Sequence, residues 1–193
     1  MDTGLDKRER ILAAAARLIV ENGLQSPMSA IADEAGVAIG SIYNYFRSKE
    51  DLVRGVYGRV AEEMTARLAV PHDPATSHEA RVRHYIAAYI DFIWEDPLRA
   101  RLFDYLDNSP LTSGEAAAIF GPFVDHAVGM LDDARGARVV RDGPLSLMAS
   151  FVRGAIRNTL KRRRTNPNPL EDGERTLLAD MCWAAIAAEG SHA

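Results

Sequence analysis

The chain has almost nothing from which to build a disulfide framework or a thiolate metal cluster: its 193 residues include one cysteine, Cys182. A single thiol cannot pair within its own chain, and its scarcity suits the reducing cytoplasm, which is the expected location. No apolar run reaches the length of about 18 residues that a membrane span needs, so no membrane partner is expected. The first ten residues, MDTGLDKRER, are charged throughout and lack the apolar stretch of a signal peptide. Internal repeats and low-complexity tracts are missing. So are the glycine-rich phosphate loops GxGxxG and GxxxxGK[ST] and the GxSxG nucleophile elbow. The histidines are His72, His78, His84, His126 and His192, and none has another three or four residues away, so no helical zinc pair is present. Glu62-Glu63 and Asp132-Asp133 are neighbours in sequence. Adjacent helix positions diverge, which makes these pairs solvated surface rather than paired acids. The expectation is therefore no enzyme, no catalytic residues, no metal and no cofactor. A bulk charge is also missing. Residues 1–55 carry seven Lys/Arg against eight Asp/Glu, and the whole chain is at −4. Any affinity for DNA must come from a few well-placed cations and helix N-termini.

What the chain does have is helical periodicity from end to end, with 47% apolar residues and no strand pattern longer than three. Asp6 and Glu9 have the spacing of a capping box. Ile11, Leu12, Ala15, Leu18 and Ile19 form a stripe that stops before Gly23. Ser48 can cap a long helix whose apolar residues Leu52, Val56, Val60, Met64 and Leu68 fall four apart. After a break at residues 71–77, helices are expected at 79–94, 97–106, from about 113, 144–164 and 170–188, with loops at 108–110 and 165–169. Gly121-Pro122 predicts a kink or a division of the helix that holds it. The fold class is all-α, with about nine helices. Residues 1–52 read as a DNA-binding domain, 49–69 as its connecting helix, and 70–193 as a ligand-binding and dimerisation domain.

The most informative stretch runs from Ser26 to Leu52, SPMSAIADEAGVAIGSIYNYFRSKEDL. Ser26 reads as an N-cap with Pro27 at the first helical position. Met28, Ile31, Ala32 and Ala35 make one stripe, and Gly36 stands where a left-handed C-cap belongs. A second short helix, about 39–46, turns Ile42 and Phe46 inward and leaves Ser41, Asn44 and Tyr45 on other faces. This is a helix-turn-helix layout, whose second helix enters the DNA major groove. The runs IADEAGV, GSIYNYFRSKEDL and ILAAAARLIVENG resemble the DNA-binding domain of the TetR/AcrR transcriptional regulators over roughly residues 7–56. The second run follows that family's pattern G-T-L-Y-x-x-F-x-s-K-e-x-L. Three positions depart from it. Ala38 stands where a capping Ser or Thr is usual, which costs that helix start roughly 1 kcal/mol. Ile39 replaces a polar residue and Ile19 a phenylalanine.

The resemblance implies that Tyr43 and Lys49 anchor DNA phosphates. Ser41, Asn44 and Tyr45 are the expected groove readers, and Ile39 offers an apolar contact. Ser26 and Gly40 complete the DNA-facing set. It also implies a repressor that binds a palindromic operator as a homodimer and is released by a small-molecule effector. A ligand can do this only by binding two states differently. The expected effector is largely apolar, with walls at Tyr89, Phe92, Phe103, Phe120, Phe123, Met148 and Phe151 and with Arg153 or Arg157 at the rim. Two stripes, Leu147–Phe151–Gly154–Ala155 and Leu177–Leu178–Met181–Cys182–Ala185, are the expected subunit interface. The basic run Lys161–Arg164 stays open between a solvated helix end, an anion site and a nucleic-acid patch. A helical small-molecule-binding protein or enzyme with a degenerate helix-turn-helix is the alternative.

Overall fold

In the computed structural model the apolar stripes become nine α-helices among the described residues, which are 4–106, 111, 113–164 and 170–189. The breaks expected at 108–110 and 165–169, and His192, lie outside those residues. The helices are α1 (Gly4–Asn22), α2 (Met28–Ala35), α3 (Ile39–Tyr43), α4 (Lys49–Leu68), α5 (His78–Trp94), α6 (Pro97–Leu106), α7 (Ser113–Gly136), α8 (Leu145–Arg163) and α9 (Asp172–Ile186). No strand occurs among the described residues, and one antiparallel bridge joins Val140 and Ala187. The contacts divide the chain into two compact units. One holds the chain up to Glu62 together with Pro97–Phe120; the other holds Glu63–Asp96 and the chain from Gly121 onward. The boundaries fall inside α4 and α7, whereas the sequence reading placed its break at the loop after residue 69.

In the first unit α1 packs on α2 and on α6. Ile11, Leu12, Ala15 and Ile19 are buried, as their spacing predicts, and Leu18 is half-buried. α1 starts at Gly4, so Asp6 lies inside the helix rather than at its cap. Glu9 is drawn instead to Arg8 and Arg59, at 3.3 and 3.5 Å. Gly23, at φ 77°, ends α1 and donates its N–H to the Ile19 carbonyl at 2.9 Å. Arg101 of α6 donates to the Val20 carbonyl at 3.0 Å, so a side chain satisfies part of the helix end. The Tyr57 hydroxyl, buried on α4, donates to Leu102 at 3.2 Å.

One close contact in this unit has no signal in the helical pattern. A Cβ on Gly55 would stand 2.8 Å from Phe46 Cε1 and 3.0 Å from Leu12 Cδ2. Both neighbours are buried, at 3% and 1% exposure, so neither ring nor methyl has room to retreat. Glycine inside a helix ordinarily costs about 0.5–1 kcal/mol relative to alanine. Here overpacking, typically about 1–3 kcal/mol, outweighs that gain. Gly55→Ala is therefore expected to lower stability by about 1–2 kcal/mol, read as a lower urea midpoint; a raised midpoint would show that the core yields.

In the second unit α5 packs on α8 and α9, and α8 on α9. Ser77 caps α5, its hydroxyl accepting from the Ala80 N–H at 3.2 Å. Trp183 is 1% exposed, and the Arg83 guanidinium lies 4.9 Å from its ring centroid. Arg83 also pairs with Asp180 at 2.9 Å, and Arg175 pairs with Asp91. α9 begins with a capping box in which the Glu171 and Glu174 side chains and backbones are matched reciprocally. Glu174 also holds Arg163 at 2.7 Å, so the basic run at the end of α8 is tied to α9. α7 runs unbroken through Pro122, so the expected division into two pieces does not occur. Proline removes one hydrogen bond, but Phe123 and Ala127 beyond it are fully buried and hold the helix.

Candidate functional site

α2 closes as its sequence predicts. Gly36 takes φ 64°, and the Val37 N–H donates to the Ala32 carbonyl at 3.0 Å. Its start differs. Pro27, not Ser26, is the capping position, and no side chain caps the helix. Ser26 is 5% exposed, with its hydroxyl directed at the Leu18 and Gly23 carbonyls at 3.1 and 3.2 Å. It ties the end of α1 to the start of α2 and does not face outward, which corrects its place in the DNA-facing set.

α3 follows with Ala38 as an uncapped start. Its regular helix ends at Tyr43, shorter than the pattern implied, but the Phe46 N–H still bonds the Ile42 carbonyl at 2.9 Å. Ile42 is 0% exposed and Phe46 3%, so these two anchor the segment to the core. The opposite face carries Ile39, Gly40, Tyr43 and Asn44, all exposed, with Ser41 and Tyr45 half-buried beside them. Ile39 and Tyr43 are 47% and 52% exposed, unusual for their size. Ser48 caps α4 by accepting from the Asp51 N–H at 3.2 Å. Asp51 reaches back to the Arg47 N–H at 2.9 Å. The bond from Ser48 holds the Glu50 carboxyl below its ordinary value, with Arg54 and Lys49 adding to the shift. Lys49 is the first residue of α4, half-buried, next to this face in sequence.

Residues 11–56 match the model of "Bacterial regulatory proteins, tetR family". The HTH-type transcriptional repressor KstR of Rhodococcus jostii is 30% identical over 157 residues, covering 76% of this chain and 73% of the relative. The chain belongs to the TetR family. The HTH-type transcriptional activator FasR of Mycolicibacterium smegmatis is 30% identical over 114 residues, and that match takes in 58% of this TetR-family chain but only 51% of FasR. In fold it is similar to the FadR regulator of Bacillus subtilis in complex with stearoyl-CoA, with a TM-score of 0.71 at 21% identity. That likeness covers 91% of this chain and 95% of the other.

The aromatic set expected to line one pocket is not gathered in one place. Phe103 and Phe120 meet at 6.0 Å within the first unit. Tyr89, Phe92, Phe123 and Met148 belong to the second, where Tyr89 and Phe123 stack at 6.2 Å. Tyr85, not in the expected wall, stacks on Phe123 at 6.0 Å and on Tyr89 at 6.3 Å. Phe151 is 54% exposed and does not enter this interior. It lines, with Leu147, Met148 and Ala185, an apolar groove of about 350 Å³ between α8 and α9. Leu147, Leu177 and Met181 are also more than half exposed. The two expected interface stripes thus split: Leu178 and Cys182 face the subunit's own core, while Leu147, Phe151, Leu177 and Met181 face outward. Burial pushes the Cys182 thiol up to about 11, so it is no ready nucleophile.

Linear spacing hid one gathering of imidazoles. His72 and His84 meet edge to face at 5.7 Å, and His72, His78 and His126 line a cleft of about 340 Å³ with Arg81, Asp125 and Asp133. Burial holds the His72 pKa below its usual value, helped by the nearby charges of His84, Arg81 and His126. Among the described residues no group of three ligating side chains is placed to hold a metal ion.

Proposed function

We propose that this chain is a one-component transcriptional repressor that binds a palindromic operator as a homodimer and is released by a largely apolar small-molecule effector. The observation that carries the reading is the outward face of α3, with Ile39, Gly40, Tyr43 and Asn44 exposed in a segment matched by the family. Large apolar side chains left in water on a five-residue helix call for a partner, and a duplex groove accepts them. Residues 1–52 with the helix 49–69 are the DNA-reading part, and 70–193 takes the effector and the second subunit. The stearoyl-CoA held by the FadR structure supports an effector with a long apolar body. The exposed residues of α8 and α9 support the dimer.

Gel shifts against the DNA upstream of the chain's own gene test this. Loss of the shifted band with a scrambled palindrome supports sequence readout; equal shifts on any sequence oppose it. Lys49→Ala is expected to weaken binding about equally on all sequences and to reduce the salt slope by about 1. Asn44→Ala is expected to relax preference at one base position, by about 1–3 kcal/mol. Unchanged affinity of Lys49→Ala at moderate salt would remove the lysine from the phosphate contact. FasR is an activator, so a promoter fusion that falls on deletion of the gene would reverse the sign of regulation.

A further inference from the structure

The interior of the second unit holds a cation that no carboxylate answers. Arg153 lies on α8 with its Nη1 atom buried and without a hydrogen-bond partner, and it forms no ion pair among the described residues. Other arginines of the same unit do find acids: Arg67 with Glu95, Arg83 with Asp180, Arg163 with Glu174. The Arg153 guanidinium stands 5.6 Å from the Phe123 ring centroid, and that ring is stacked with Tyr85 and Tyr89. The Tyr85 hydroxyl is buried beside it, close enough for the guanidinium to act on the phenol, and meets no acceptor for its own proton. Burial pushes the Tyr89 phenol up to about 12 and Tyr85 in the same direction, so both remain neutral O–H groups near pH 7. The Arg157 charge acts on Tyr89 from one turn further along α8.

The unspent groups are donors, and the charge is positive. Arg153 is half-buried, and a guanidinium nitrogen turned inward without an acceptor costs a fold; such costs cluster where a ligand completes the site. A neutral ligand would leave the guanidinium uncompensated. A carboxylate fits it, because its two oxygens can accept from an arginine fork and from a neighbouring hydroxyl at once. Flat aromatic faces at Phe123 and Tyr89 are the surfaces against which an apolar body would lie.

We infer that Arg153 and Tyr85 seat the acidic head of an amphipathic effector whose apolar body packs along the Phe123–Tyr89 stack. This rests on the reading of the second unit as the effector domain, and the experiment separates the two. Titration calorimetry on the full chain compares decanoate with decan-1-ol. Decanoate is expected to bind at least tenfold tighter than the alcohol. Arg153→Met is expected to lose at least tenfold for decanoate and nothing for the alcohol. Without ligand, that variant is expected to melt about 5 °C higher, because no charge is left buried unpaired. Tyr85→Phe, which keeps the ring and removes the hydroxyl, is expected to weaken decanoate alone, and it decides the matter if Arg153→Met does not fold. Equal affinity for acid and alcohol, no binding of decanoate at millimolar concentration, or full binding by Arg153→Met would each overturn the inference. Decanoate that binds as expected but leaves operator affinity unchanged would keep the site and sink the effector reading. Operator binding that persists while decanoate fails to bind would do the reverse.

Discussion

Gly154→Arg is expected to convert the proposed dimer into folded monomers and to abolish operator binding at nanomolar protein. Nothing lies within 4 Å of a Cβ built on Gly154, so the subunit itself has room for a side chain there. Around it α8 exposes Leu147 at 64% and Phe151 at 54%, and α9 exposes Leu177 and Met181 at 61% each. Among the described residues these four account for most of the large apolar side chains left in water outside α3. Apolar patches of this kind on a folded subunit mark an interface, and obligate dimers bury large apolar areas. A charged side chain of arginine's length in the proposed interface would hold the two surfaces apart and bury an unpaired charge, at a cost of several kcal/mol. A half-operator holds one reading head, so a monomer loses the gain from linking two, on the order of a hundredfold or more. Sedimentation velocity checks the mass and circular dichroism the fold. A variant that still sediments as a dimer would move the interface elsewhere.

The helices and the reading head were legible because they depend on local chemistry. Periodicity placed Ile42 and Phe46 inside, and Gly36 announced its left-handed conformation by being a glycine. Ser48 capped α4 as its type and place suggest. Misreadings came where one residue type serves two purposes. Ser26 before a proline looks like an N-cap, yet its hydroxyl goes to carbonyls at the end of α1, a contact set by how α1 meets α2. Glu171 is a weak capper by type, but Glu174 three residues on makes the reciprocal pair.

The interior site was less legible, because helical spacing tells which residues share a face and not what that face meets. Phe103 and Phe123 read alike in the sequence but pack in different units. Phe151 follows Leu147 at four residues and reads as wall or interface equally well; only the burial of Met148 and the exposure of Phe151 separate the roles. The spacing of Arg153 and Arg157 on one helix placed either of them at a pocket rim without choosing between them. That the Arg153 Nη1 atom is buried without an acid is a fact of packing, and no pattern along α8 announces it.

Phe46→Ala is expected to cost about 3–5 kcal/mol and to erase DNA binding, although Phe46 is not on the exposed face. The ring is 3% exposed and fills the space that Gly55 leaves open. The Arg8 guanidinium covers it at 5.6 Å from its centroid, adding a cation–π contact. Removing the ring opens a cavity bounded by Leu12 and the Gly55 backbone, which the surrounding packing closes only in part. Against a typical domain stability of about 5–15 kcal/mol, that loss leaves the reading head partly unfolded at growth temperature. α3 has only five residues, no side-chain cap and Ile42 and Phe46 as its apolar anchors, so it has little stability of its own. Tyr43→Ala, on the outward side, is expected to leave the stability within about 0.5 kcal/mol of wild type while still weakening DNA binding. The pair separates structure from recognition: a Phe46→Ala chain that melts like wild type and keeps its operator affinity would show that this ring does not hold the reading head together.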